Sequence, residues 1–395
     1  MSAENLTFPV TQTSSNDRKI MKTVNGILEI LPRGGGQIRE PMSTLPMRRI
    51  DPLVDRNMIR NLKLREGALI EAQCEPGRQG AMLVKQINRI CGLEVDDWRD
   101  CTPFEEQTVI DPQPQLVLEP RSPGTEIPYG TLAIRIIDLI CPLGFGQRAV
   151  IVAPPRTGKT ILLQQIAVAI KNNYPDIELI LLLVDERPEE VTDMKRNIPG
   201  RVFASCNDRP TESHTRLGRI VIEHGKSLAQ AGKDVVIMLD SLTRLSRAYN
   251  IGQRGSGKIM SGGIDANALE IPKRLFGSAR KFEHGGSLTI IATALIDTGS
   301  RMDELIFREF KGTGNMELVL SRDLANERMF PAIDIPESGT RKDHLLVGEK
   351  MPLYAALRSH LVKMKPKDAM KSLHLALNRF PATHQLLENM ARAEV

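Results

Sequence analysis

The stretch that decides the fold reads Arg148-Ala-Val-Ile-Val-Ala153-Pro-Pro155-Arg156-Thr157-Gly158-Lys159-Thr160-Ile161-Leu-Leu-Gln-Gln-Ile-Ala-Val-Ala-Ile-Lys171. An apolar run of strand length enters a short segment rich in turn formers, and a helix-length segment follows. Residues 153–160 match the P-loop form GxxxxGK[ST], except that Ala153 stands at the first glycine. A loop of this kind aims backbone N–H groups at phosphates, and the positive end of the next helix adds to the attraction. Lys159 is then placed for the β and γ phosphates of ATP, and the Thr160 hydroxyl for Mg²⁺. Pro155, Arg156, Thr157, Gly158, Lys159, Thr160 and Ile161 are the candidate nucleotide-binding residues.

The same alternation continues outward. ELILLLVDE (178–186) leads into RPEEVTDMKR, DVVIMLD (234–240) into SLTRLSRAYN, and SLTIIATAL (287–295) follows. Continuous apolar strands alternating with helices predict a parallel sheet covered on both faces. Ligands of such sheets bind at the carboxyl ends of the strands. Two strands end there in acids. Asp240 follows an unbroken apolar run and is assigned to the metal and its water shell. Glu186, one residue further along its strand, is assigned as general base. Phosphoryl transfer also needs a cation on the γ-phosphate, supplied in many ATPases by an arginine in trans. Arg187, Arg244, Arg247, Arg322, Arg328 and Arg341 are all candidates, and position along the chain does not choose among them.

Toward the N-terminus the pattern changes. Residues 1–20, rich in Ser, Thr and Asn, read as a disordered tail. Residues 21–95 hold short apolar segments punctuated by Gly and Pro, as in a small β-barrel or sandwich. Residues 96–128 carry many prolines and acids and are expected to be an interdomain linker. The ATPase domain is expected over 129–395. Its end from Leu353 onward has helical spacing through Leu357, Leu361, Met364, Leu373, Leu375 and Leu377.

Composition bounds the rest. A chain of 395 residues suggests two or three domains. A net charge of +5 is too mild to imply nucleic acid by itself. The five cysteines are scattered and form no CxxC pair, which supports neither a zinc site nor a disulfide framework. The first twenty residues hold no hydrophobic signal core, and runs such as Leu179–Val184 are far too short to span a bilayer. The expectation is a cytoplasmic protein without a membrane partner.

Several longer blocks carry a family resemblance. VAPPRTGKT, LLLVDERPEEVT, MLDSLTRLSRAYN, SGKIMSGGIDANAL, SLTIIATALIDTGSRMDE, EFKGTGNMEL and MFPAIDIPESGTRK together resemble the transcription termination factor Rho family, nearly unbroken from Ile134 to Lys342. The resemblance implies a RecA-like P-loop ATPase domain behind an OB-fold, cold-shock-type barrel. It implies a homohexamer with ATP and Mg²⁺ between subunits, single-stranded RNA in the central pore, 5′-to-3′ movement and action on the RNA polymerase elongation complex. By position it makes Glu186 the catalytic carboxylate, Asp240 the Mg²⁺-associated acid, Arg187 a γ-phosphate sensor and Arg341 the arginine finger. Phe330 would pack on adenine, and Arg244 and Arg328 would lie at the nucleotide interface. Lys258, Gly262 and Gly263 fall in the first RNA loop; Arg301, where the family commonly has Lys, ends the second.

The N-terminal part departs from that family. The stretch Ile27-Leu-Glu-Ile-Leu-Pro-Arg-Gly34-Gly35-Gly36-Gln37-Ile38-Arg39-Glu40 has no aromatic residue where the resemblance leads one to expect stacking phenylalanines, and none occurs between Phe8 and Trp98. Base stacking contributes about 1–3 kcal/mol per base in such sites. A basic set remains (Arg33, Arg39, Arg48, Arg49, Arg56, Arg60, Lys63, Arg65), partly offset by seven acids between residues 21 and 78. The leading reading is an RNA-dependent ATPase and helicase that terminates transcription. One alternative is the same motor loaded with RNA by a partner; another is a rotary-ATPase-type catalytic subunit with the same core fold.

Overall fold

The computed structural model describes residues 21–77, 80–121, 125–252, 265 and 268–393. Two compact units divide between Cys101 and Thr102.

The first unit contains β1 (Lys22–Ile30), β2 (Gly36–Arg39), β3 (Leu53–Val54), α1 (Arg56–Asn61), β4 (Leu69–Pro76), β5 (Met82–Ile90), β6 (Leu93–Glu94) and α2 (Val95–Asp100). Strands pair in the order β3-β2-β1-β4-β5-β6, and β3 also pairs with β5. That last pairing closes five strands into a barrel and removes the open sheet edges. Leu28, Ile38, Val54, Ile70 and Ala72 are buried on one face of the strands, and Ile27 is buried on the other. Gly26 is required by close approach, since a Cβ there would lie 2.5 Å from Ile38 Cγ2. Trp98 is fully buried and donates through Nε1 to the Lys63 carbonyl. Arg39 is also fully buried. Its Nε meets Glu29 at 2.6 Å and its Nη1 meets Asp51 at 2.6 Å. A buried guanidinium needs such partners, because burying an unpaired charge is prohibitive. Arg39 is thus a core ion pair and not part of a basic surface, and Arg48 pairs with Glu40.

The second unit contains β7 (Val109–Ile110), α3 (Leu132–Ile140), β8 (Arg148–Ala153), α4 (Lys159–Asn173), β9 (Glu178–Glu186), α5 (Pro188–Asn197), β10 (Arg201–Cys206), α6 (Thr211–Gln230), β11 (Asp234–Asp240), α7 (Leu242–Gly252) and α8 (Glu270–Phe276). It continues with β12 (Arg280–Phe282), β13 (Ser287–Leu295), α9 (Arg301–Lys311), β14 (Met316–Val319), α10 (Arg322–Asn326), β15 (Gly339–Thr340), α11 (His344–Val347), α12 (Met351–Val362), α13 (Pro366–Arg379) and α14 (Thr383–Ala393). The sheet order is β10-β9-β11-β13-β8-β14-β15. Pairs from β10 to β14 are parallel, and only β15 closes that path antiparallel. The P-loop strand β8 therefore sits inside the sheet, and the ends of β8, β11 and β9 open on the same rim.

The stretch expected as a linker, residues 96–128, carries buried side chains in both units. Trp98 belongs to the first unit, whereas Phe104, Leu116 and Leu118 are fully buried in the second. Phe104 packs edge-on against Phe282, with centroids 5.1 Å apart. The backbone N–H groups of Leu118 and Glu119 donate to the Asp138 carboxylate, and that of Val117 to the Tyr174 hydroxyl. The stretch holds only short regular elements, and side chains far along the chain satisfy the backbone groups of residues 117–119. Complete burial pushes Asp138 up to about 7.

Two arginines bind the C-terminal helices to the sheet domain. Arg135 of α3 donates to the carbonyls of Leu377 and Phe380 and to the Thr383 hydroxyl. Arg358 of α12 donates to the carbonyls of Ile140, Ile335, Pro336 and Ser338. Leu373 and Leu377 share the buried face of α13, while Leu375 is exposed, as a residue two positions on must be in a helix. No described helix is long and apolar enough to cross a membrane.

Candidate active site

The P-loop turns from β8 into α4 with Arg156 at φ +67° and Gly158 at φ +86°. A Cβ on Gly158 would lie 3.5 Å from two ring carbons of Phe330, so that ring packs beside the loop. Thr157 is buried, with its hydroxyl donating to the Pro154 carbonyl at 2.8 Å. Pro155 and Arg156 are exposed, and Lys159 and Thr160 open α4. Ile161 is partly exposed beside Phe330, and both border an apolar cavity of about 280 Å³.

Lys159 Nζ lies 2.6 Å from both Asp240 oxygens. Asp240 is buried at the end of β11, and Thr293 on the intervening β13 donates to its Oδ1 at 2.7 Å. Thr293 escaped sequence reasoning. It lies inside the SLTIIATALIDTGSRMDE block, but nothing in that apolar strand singles it out, and only the β11–β13 register brings it to Asp240.

Glu186, at the end of β9, is 4% exposed. Burial is the main reason its carboxyl is pushed up to about 7; hydrogen bonding with Glu190 and the nearby Asp240 charge add to it. Arg244 and Lys159 pull the other way. Arg244 approaches Glu186 at 3.4 Å (Nε to Oε2), but these two atoms are too poorly aligned for a hydrogen bond. Its Nη1 donates to the Asp185 carbonyl. The result is a carboxyl group poised near neutrality, within reach of a lysine, an arginine and a second carboxylate.

The remaining arginines divide. Arg187, at the N-cap of α5, is exposed, and so are Arg328, Arg341 and Arg301. The side chains of these four have no hydrogen bond or ion pair among the described residues. Arg341 follows β15, and its backbone N–H donates to the Asn315 carbonyl. Arg247 is not free: it forms a bidentate pair with the buried Asp303, which also accepts from Thr298. This ties α7 to the segment holding Arg301, a link invisible in the sequence because the partners are 56 residues apart. Lys258, Gly262 and Gly263 lie outside the described residues.

Comparison with known proteins identifies the family. The chain is 48% identical to transcription termination factor Rho of Haemophilus influenzae over 371 residues, covering 93% of this chain and 87% of that one. Against the Rho factor of Escherichia coli strain K12 it is 46% identical over 372 residues, covering 93% and 88%. The chain belongs to the Rho family. A model of the Rho termination factor RNA-binding domain matches residues 24–96, the barrel. A model of the ATP synthase alpha/beta family nucleotide-binding domain matches residues 133–340, the sheet domain. Among solved structures, a prototypical ATPase from the type III secretion system of pathogenic bacteria aligns with TM-score 0.56 and 24% identity over 73% of this chain and 80% of that one, which speaks to the fold alone. The RecA-like ATPase domain behind an OB-type barrel is therefore the fold of this Rho-family enzyme, and the relationship to rotary ATPases is one of shared core.

Proposed function

We propose that this chain is an RNA-dependent ATPase that moves 5′ to 3′ along nascent RNA and ends transcription by dislodging the RNA polymerase elongation complex. It would act in the cytoplasm as a homohexamer, with ATP held at each subunit boundary. The observation that carries this reading is the convergence of Lys159, Asp240 and Glu186 on one rim of a parallel sheet, in a chain 46–48% identical to Rho factors over nearly its whole length.

The chemistry follows from the site. Glu186, with its raised proton affinity, accepts a proton from the attacking water as the γ-phosphoryl group leaves. Lys159 leaves Asp240 for the phosphates when nucleotide enters, which exchanges one ion pair for another. Arg187 lies one residue beyond Glu186 and reads the γ-phosphate. Arg341 and Arg328, exposed and unpartnered among the described residues, are available to a neighbouring subunit's nucleotide. Arg341 is the finger, supplying charge that grows in value in the transition state. The Thr160 hydroxyl and Asp240 carboxylate are hard oxygen donors and fit Mg²⁺. When bound, the ion neutralises charge on the β and γ phosphates.

RNA would meet two sets of residues. In the pore they are Arg301 and the loop with Lys258, Gly262 and Gly263. On the barrel, Arg33, Arg49, Arg56 and Arg60 are exposed without a partner among the described residues. Such groups grip phosphates and carry no sequence information. The test is ATP turnover with and without poly-pyrimidine RNA at two salt concentrations. RNA should stimulate turnover, less at high salt. Turnover indifferent to RNA would overturn the proposal.

A further inference from the structure

The cavity beside the P-loop has a second aromatic wall that none of the motifs includes. Tyr129 borders it together with Phe330, Gly158, Ile161 and Leu162. Tyr129 is 73% exposed, and Phe330 opposite the loop is 43% exposed. Two large aromatic side chains left open around one apolar cavity are unusual, because burying either elsewhere would stabilise the fold.

The backbone that presents Tyr129 is held in place. The Gly130 N–H donates to the Ile127 carbonyl at 2.9 Å, closing a four-residue turn led by Pro128. Tyr129 occupies its third position at φ +61°. A Pro-led turn with positive φ at that position ordinarily takes Gly or Asn there. A tyrosine there is strained, and surrounding structure must impose the conformation. Gln165 of α4 imposes it. That side chain is 4% exposed, and its Nε2 donates to the carbonyls of both Pro128 and Gly130 at 3.0 Å. The amide clasps the turn on each side of the tyrosine, from the same helix that starts with Lys159.

We infer that Tyr129 is a base-stacking residue of the nucleotide site, which with Phe330 makes a two-sided aromatic clamp for the purine ring, and that Gln165 is the positioning residue that holds it there. The inference rests on the ATPase reading of the P-loop. The clamp contributes affinity through the base and not through the phosphates, so its loss should be visible only with ligands that carry a base.

The experiment uses the full chain without RNA and measures equilibrium binding of a non-hydrolysable ATP analogue and of inorganic tripolyphosphate. Tyr129→Ala should weaken the ATP analogue roughly tenfold, in the lower part of the range for losing one base–aromatic stack, and leave tripolyphosphate unchanged. Tyr129→Phe should bind both like the parent, since the ring and not the hydroxyl acts. Gln165→Leu should reproduce the base-selective loss with Tyr129 intact. The proposal is overturned if Tyr129→Ala binds the ATP analogue normally, if tripolyphosphate binding falls equally, or if Tyr129→Phe is as weak as Tyr129→Ala. Failure of the parent protein to bind either ligand would overturn the ATPase reading, and the clamp with it.

Discussion

Replacing Glu186 by Gln is the sharpest perturbation the site permits. The amide keeps the size of the side chain and cannot accept the proton of water. General-base action typically contributes a factor of about 10²–10⁴, so RNA-stimulated kcat should fall by that much while ATP binding is retained. The pH profile adds a second signature. The Glu186 carboxyl is pushed up to about 7, chiefly by burial. At pH 8 roughly nine-tenths of the sites are ionised and at pH 6 roughly one-tenth, so kcat should drop about tenfold per unit on the acid side. Stability should move the other way. A carboxyl raised in the folded protein contributes stability that is present below its ordinary value of 4.5 and lost as pH rises through about 7. Glu186→Gln should therefore melt no lower than the parent at pH 8. Steady-state turnover from pH 5.5 to 8.5 and thermal melts on both proteins are sufficient. A variant within tenfold of the parent, or one that keeps the acid limb, would refute Glu186 as the base.

Further outcomes are expected elsewhere in the molecule. Arg341→Ala should cut turnover by a factor of about 10³ or more with nucleotide affinity nearly unchanged in a direct binding assay; near-normal turnover would remove Arg341 from the reaction. Arg39→Ala leaves Glu29 and Asp51 buried without their cation and should destabilise the barrel by about 3–5 kcal/mol. Urea unfolding followed by Trp98, the single tryptophan of the chain, reads that unit, and a loss under 1 kcal/mol would contradict the buried triad. Asp138 is likewise raised to about 7 by burial, so the parent should lose stability as pH rises from 5 to 8. In Asp138→Asn that contribution to the slope should vanish, which melts at three pH values will show. Filter binding of pyrimidine RNA by the intact protein without ATP should be weak and steeply salt-dependent, because phosphate contacts release counterions and stacking is absent; tight, salt-insensitive capture would mean the barrel has another means of holding bases.

Much of the second unit could be read directly because its chemistry is local. The P-loop announces itself over eight residues, and Asp240 and Glu186 stand at the ends of apolar runs whose parallel pairing follows from their length and spacing. What escaped depends on distance along the chain. The 96–128 stretch reads as a linker because its prolines defeat periodicity, yet Asp138, Asn173 and Tyr174 satisfy backbone groups of residues 117–119. Arg39 could not be told from its surface neighbours, since its burial depends on where Glu29 and Asp51 arrive. Tyr129 gave a faint sign in Pro-Tyr-Gly, a turn tripeptide with a bulky residue in the middle. Its position over the cavity depends on Gln165, in a helix that begins thirty residues later.

The four carbonyls gripped by Arg358 have a wider consequence. Three of them, from Ile335, Pro336 and Ser338, belong to the strand approach that ends in Arg341. The guanidinium comes from a helix with no strand partner, one that Arg135 helps to moor through the helices beyond it. The final forty-odd residues thus work as a splint. Shortening the chain from that end should leave the P-loop whole and Lys159 still paired with Asp240, yet unbrace the segment that carries Arg341. If Arg341 serves a neighbouring subunit as proposed, nucleotide would still be held while turnover stops.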